Sequence, residues 1–220
     1  MSVDAPQAVE VRALLEPRSA LRAHFEELAY NLLAARGGPR TVVVTSPEPG
    51  AGCSSVCLGL GAALAGRGHS TALVDCNLED PQLHRMLGET NFVGLTSGME
   101  NGKSLERYGK EVSPGLLVVP TGPVPADPVT RRESEQFLRA VRELGERREI
   151  VLLDAPVAGE VLASRSLSRG FDGVLLVVHA TRTPKSVARS VTDDLLGAGI
   201  NLLGVVLNGQ RATRSAEGAG

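Results

Sequence analysis

The sequence contains no tryptophan, two tyrosines (Tyr30 and Tyr108) and only 3% aromatic residues. Aromatic platforms on which bases stack are therefore not expected. Lysine is scarce as well: Lys103, Lys110 and Lys185 are the only ones, and the formal net charge is −2. That balance gives no general attraction to nucleic acid or to anionic lipid, and no nucleic-acid partner is expected. The three cysteines, Cys53, Cys57 and Cys76, are too few and too irregularly spaced for a disulfide framework. No apolar run approaches the roughly 20 residues that span a bilayer, and the first residues lack the basic-then-apolar order of a signal peptide. The expectation is a cytoplasmic protein. With 220 residues and 42% apolar content, the chain suffices for one well-buried domain.

What is present is an alternation of apolar strands with helical segments. Residues 1–17, with Pro6 and Pro17, read as a loose leader, 18–209 as a single domain, and 210–220 as a disordered tail. From Arg18 to Ala35 the spacing of Leu21, Phe25, Leu28 and Leu32 predicts an amphipathic helix. Strands are expected over 41–45, 70–75, 116–120, 150–154, 173–179 and 200–207, and helices over 54–67, 129–147, 161–168 and 184–196. The strands are short, β-branched and apolar on both faces, as in a sheet covered by helices on each side. The predicted fold class is α/β: a doubly wound sheet flanked by helices, with any ligand at the carboxyl ends of the strands.

Three strand ends carry candidate chemistry. After Thr41–Thr45 comes Ser46-Pro-Glu-Pro-Gly50-Ala51-Gly52-Cys53-Ser54-Ser55, which opens a helix of small residues. Strand, glycine loop and helix together form the context in which backbone N–H groups cradle phosphates. The motif G-x-x-x-x-G-K-[ST] asks for a lysine that reaches the phosphates and a hydroxyl that reaches Mg²⁺. Ser54 supplies the hydroxyl, but Cys53 stands where the lysine belongs. The apolar runs ending in Asp75 and in Asp154 supply two carboxylates that, with Ser54, would hold Mg²⁺ directly or through water. One such end is weak evidence, since Asp is common in turns after strands; two downstream of a glycine loop are considerably more specific.

In order and spacing these pieces resemble the cytoplasmic domain of bacterial tyrosine kinases of capsule and exopolysaccharide systems, the BY-kinase or CpsD/CapB type. The resemblance runs from about Phe25 to Gly209. It also rests on Pro81-Gln-Leu-His84-Arg-Met-Leu-Gly88, Gly94-Leu95, Val119-Pro-Thr-Gly122-Pro-Val-Pro-Ala-Asp-Pro128 and Gly204-Val-Val-Leu-Asn208-Gly209. It implies a P-loop NTPase-like, doubly wound, mostly parallel β-sheet flanked by helices. The same resemblance implies a nucleotide held by Gly50, Ala51, Gly52, Cys53, Ser54, Ser55 and Asn208, with Asp75 and Asp154 as the acidic groups. It also implies a membrane partner that controls polysaccharide chain length, a homo-oligomer or a hetero-oligomer with an active kinase paralogue, and a location at the inner face of the membrane reached through that partner.

The departures from that family fall on the chemistry. Where the family reads P-G-E-G-K-S-[ST], this chain has Pro49-Gly-Ala51-Gly-Cys53-Ser-Ser55. Against D-A-D-L-R-R-P it has Asp75-Cys76-Asn77-Leu-Glu79-Asp80-Pro81, and against D-[ST]-P-P it has Asp154-Ala155-Pro156-Val157. Aligned on Asn31, the assembly pattern E-x-x-R-x-x-R-x-N is replaced by Ala23, Glu26 and Ala29, and residues 211–220 hold no tyrosine. Glu79 and Asp80 are expected to worsen the field for phosphate, and Arg131-Arg132 and Arg147-Arg148 to be solvated helix ends. The expectation is a catalytically impaired, pseudokinase-like adaptor with weak binding of ATP or ADP with Mg²⁺. Two alternatives stay open: a divergent active kinase or ATPase in which Arg182 or Lys185 replaces the lysine, and a relative of the ParA/MinD-type ATPases. A thiol sensor, the remaining class, requires a low pKa at Cys53, as at other helix N-termini. Cys57 and Cys76 read as small buried fillers, and the tyrosines as packing residues.

Overall fold

The computed structural model describes residues 11, 13–16, 19–35 and 38–210. The tail over 211–220 and most of the leader lie outside these residues. The strands are β1 (Thr41–Thr45), β2 (Thr71–Asp75), β3 (Lys110–Ser113), β4 (Leu116–Val119), β5 (Ile150–Asp154), β6 (Gly173–His179) and β7 (Leu202–Asn208). They form one sheet in the order β3-β4-β2-β5-β1-β6-β7. Only the β3–β4 pair is antiparallel. The helices are α1 (Ala20–Ala34), α2 (Cys53–Gly66), α3 (Leu83–Met86), α4 (Leu95–Asn101), α5 (Pro128–Arg132), α6 (Glu135–Arg147), α7 (Ala158–Ala163), α8 (Arg165–Arg169) and α9 (Lys185–Gly197). The doubly wound α/β class read from the sequence is the fold observed.

Burial follows the strand pattern. Every residue of β2 and β5 is buried, as a strand covered on both faces requires. On β1 successive side chains part: Val42 and Val44 join α1 and α2 on one face, and Val43 joins α4, α6, α7 and α9 on the other. Helix α2 is buried at every residue from Val56 to Ala65, the mark of a helix enclosed on all sides. Its small residues admit close neighbours: a Cβ on Gly59 would lie 2.4 Å from the Phe25 ring, so α1 rests directly on α2. Leu21, assigned to the apolar face of α1, is instead 43% exposed. The Arg22 guanidinium already lies against Gly66, the last residue of α2, so at Leu21 the helix has run past its support. Ala29 and Leu32 fill the contact. Val11 and Leu14, within the stretch read as leader, are buried in the same core, and residues 11 and 13–15 are helical.

Two helices expected as continuous are broken. The stretch over 129–147 divides into α5 and α6, because side chains cap both starts. The Asp127 carboxylate accepts the Thr130 N–H at 3.0 Å with Pro128 in the first turn, and Ser134 Oγ accepts the Phe137 N–H at 3.2 Å. Beyond that cap, Phe137, Ala140, Val141 and Leu144 form the buried stripe of α6. The stretch over 161–168 likewise divides into α7 and α8 at Ser164, whose Oγ accepts the Leu167 N–H at 3.1 Å. The loosely patterned middle of the chain contains α3, α4 and β3. The last is a solvated edge strand, Lys-Glu-Val-Ser, without the apolar run by which strands are recognised.

Candidate functional site

The sheet order sets β1 beside β5 and β5 beside β2, so the three predicted strand ends converge. Asp75 and Asp154 are register partners on adjacent strands. The loop between β1 and α2 turns through two glycines in the left-handed region, Gly50 (φ 75°) and Gly52 (φ 94°). A side chain at Gly52 is doubly excluded, since its Cβ would fall 2.2 Å from Asn208 Nδ2. That Asn208 amide donates to the Ala51 carbonyl at 2.9 Å, and the Arg182 guanidinium donates to the Gly50 carbonyl. The loop is thus held from the end of β7 and from the β6–α9 connection.

Above the loop opens a cavity of about 520 Å³. Gly50, Ala51, Gly52, Cys53, Ser54, Ser55 and Asp154 all line it, as do Asn77, Glu79 and Asp80 from the segment after β2. Val11, Leu14 and Met86 add an apolar wall. Asp75 lies beneath, and Asn208 stands behind the loop with its amide committed to Ala51. Lys185 is exposed at the start of α9, away from the lining. Among the described residues, no cluster of three or more His, Cys, Asp or Glu is placed to hold a metal ion.

Burial governs the titration of this floor. The Cys53 thiol is pushed up to about 12, first by burial and then by the Asp154 charge, against a hydrogen bond with Ser46. A helix N-terminus ordinarily lowers a thiol pKa, but here desolvation wins, so Cys53 is a neutral thiol at neutral pH. The low pKa required of a thiol sensor is therefore not found. Cys57 and Cys76 are fully buried, as expected of fillers. Asp75 accepts the Asn77 N–H at 3.2 Å and the Gln82 and Leu83 N–H groups at 3.0 Å each, yet burial still raises it to about 7. Burial, and then the Asp75 charge, lift Asp154 well above the carboxylate range, while the Ser54 hydroxyl hydrogen-bonds it and pulls the other way. Its Oδ2 is buried without a hydrogen-bond partner. An orphaned carboxylate oxygen in a cavity floor is costly unless a further ligand meets it.

The rim corrects two readings. Arg132, expected to be a solvated helix end, is 2% exposed; its guanidinium pairs with Glu79 through Nη1 and with Glu160 through Nη2 at 3.1 Å. At the opposite end of the sheet, Arg148 is half-buried and pairs with Glu106 at 3.0 Å. Glu79 and Asp80, expected to add unbalanced negative field, each hold a cation, since Asp80 pairs with Arg85 at 3.0 Å. The break between α5 and α6 places Arg132 at a helix terminus facing the sheet end. Asp127-Pro128 and Ser134 were the cap signals that could have located the break. Tyr30 is likewise no packing residue: it is 61% exposed, with the Arg67 guanidinium 6.0 Å from its ring centre.

The family described as cellulose biosynthesis protein BcsQ matches residues 40–189, which contain both strand-end aspartates and the glycine loop. The tyrosine-protein kinase YwqD of Bacillus subtilis is 27% identical over 210 residues, covering 94% of this chain and 89% of that one. The putative tyrosine-protein kinase EpsB of Ralstonia solanacearum is 28% identical over 204 residues, or 92% of this chain but only 26% of EpsB. Among solved structures, the chimerical protein CapA2B2 superposes with a TM-score of 0.83 at 26% identity, over 92% of this chain and 90% of that one. The resemblance to bacterial tyrosine kinases drawn from the motifs is borne out. Among the described residues, no helix is long and apolar enough to cross a membrane.

Proposed function

Because the chain belongs to the family described as cellulose biosynthesis protein BcsQ, we propose that it serves a polysaccharide-producing system as a catalytically impaired, kinase-like adaptor. The observation that carries this reading is Cys53, a half-buried thiol without positive charge, where a phosphate-binding lysine would stand. A charge-assisted hydrogen bond contributes about 1.5–3 kcal/mol, and such a lysine makes more than one. Its loss weakens nucleotide binding by roughly two orders of magnitude. Phosphoryl transfer relies on positioning and charge neutralisation, and loss of one cationic group costs about 10³–10⁵ in rate.

The floor fits a cation better than the loop fits a triphosphate. Ser54, Asp75 and Asp154 are the residues that would hold Mg²⁺, and the orphaned Asp154 Oδ2 supports that assignment. When bound, the ion would neutralise phosphate oxygens. Gly50, Ala51, Gly52 and Ser55 would cradle ATP or ADP weakly, with Asn208 stiffening the loop. The adaptor's partner is a membrane protein that controls polysaccharide chain length, alone or with an active kinase paralogue, which places this chain at the inner face of the membrane.

A second reading, an active enzyme with a relocated cation, is favoured by the Arg182 contact to the Gly50 carbonyl. Purified protein assayed for ATP hydrolysis and γ-phosphate transfer decides between them. The adaptor reading expects neither above background. Activity abolished by Asp75→Asn or Asp154→Asn overturns it, and activity lost in Arg182→Ala establishes the second reading.

A further inference from the structure

Arg132 is the only buried cation among the described residues, and both its partners line the cavity. Its guanidinium has two terminal nitrogens, and each takes a carboxylate from a different element: Glu79 from the segment after β2, Glu160 from α7. The partners differ from it in freedom. The Arg132 side chain is 3% exposed, whereas Glu79 and Glu160 are 38% and 44% exposed. Arg132 is also fixed through its backbone. It ends α5, whose first turn is capped by Asp127, and the next residue, Glu133, accepts from the Ser164 hydroxyl and from the Arg165 N–H at 3.1 Å. The arrangement is a fixed cation with two anions that can turn into solvent.

We infer that Glu79 and Glu160 act as built-in anions that occupy Arg132, and that Arg132 is the group through which this cavity takes a pyrophosphate-like anion once they turn away. A guanidinium offers a planar fork of donors matched to carboxylate and phosphate alike, so the two compete for one site. Two glutamates around one arginine leave an excess negative charge at the rim, which opposes a polyphosphate until one glutamate moves. The charge missing at Cys53 is thus partly present at Arg132, but held by the protein's own carboxylates. The inference deepens the reading of the cavity as a weakened phosphate site and rests on it. A clamp that merely ties α5 to α7 makes a different prediction, because loosening it would lower stability with no gain in binding.

Calorimetric titration of the full chain with pyrophosphate separates the two. Glu160→Gln keeps Arg132 paired with Glu79, so the fold is retained, and it binds pyrophosphate at least fivefold more tightly than wild type. Asp80→Asn removes a rim carboxylate whose partner, Arg85, also lines the cavity but is already exposed and free to leave this weak surface pair, so binding changes less than twofold. Adding Arg132→Met to Glu160→Gln abolishes the gain. No gain in Glu160→Gln, an equal gain in Asp80→Asn, or a gain that survives Arg132→Met overturns the inference. If the double variant does not fold, the comparison of Glu160→Gln with Asp80→Asn decides alone. The reading of the cavity itself is tested separately by ATP binding to Cys53→Lys, so the two failures are distinguishable.

Discussion

At and beneath the floor of the cavity, Asp154 and Asp75 are register partners on adjacent strands, and burial raises both carboxyls above the ordinary carboxylate range. At the rim, Arg132 lies between two glutamates, and its charge is balanced by pairing. On the proposed reading the floor responds to pH and to cations, and the rim to anions. The same cavity holds both because the strand ends are enclosed by helices, whereas the segment after β2 and α7 meet solvent.

The largest expected effect is on the pH dependence of the floor. Asp75 is raised from an ordinary value of 3.8 to about 7. Between those values the unfolded chain releases a proton that the folded one keeps, so stability present below pH 4 is lost as pH rises through 7. Asp75 alone contributes a loss on the order of 2–4 kcal/mol across that window. Chemical denaturation from pH 4 to pH 8 will show a flatter profile for Asp75→Asn than for wild type; an unchanged slope would contradict the assignment. At the rim, Arg132→Met is expected to cost about 1–3 kcal/mol, below the 3–5 kcal/mol typical of a broken buried pair, because both stranded glutamates can reach water. Urea denaturation at constant pH checks this, and a cost above that range would mean the glutamates are less free than their exposure indicates.

Smaller effects sharpen the contrast. Millimolar Mg²⁺ is expected to raise the melting temperature at pH 8 by about 2–4 °C, equivalent to roughly 1 kcal/mol in a chain of this size, and by less at pH 5.5, where protons hold the carboxyls. An equal rise at both pH values would remove Mg²⁺ from the floor. Asp80→Asn, which loses only an exposed ion pair with Arg85, should change stability by less than about 0.5 kcal/mol.

The floor was legible in the sequence because each part stands on a regular element. Apolar runs ending in Asp75 and Asp154 mark strand ends, and the glycine loop lies between a strand and a helix. The rim was not legible, because its three members come from separate segments and meet only through the fold. Arg132 beside Arg131 looks like any solvated helix end until the Ser134 cap breaks the helix and turns the chain. Glu79 and Asp80 were read as loose charges for the same reason, since their partners lie 53 and 5 positions away in the chain. β3 escaped because an edge strand of polar residues has no apolar period to detect.

On the proposed reading, one missing cation, at position 53, weakens the site. The decisive comparison is ATP affinity, measured by calorimetry, of wild type and Cys53→Lys. The lysine variant is expected to bind ATP–Mg²⁺ about 100-fold more tightly than wild type. Tight binding by wild type, unchanged in Cys53→Lys, would contradict it.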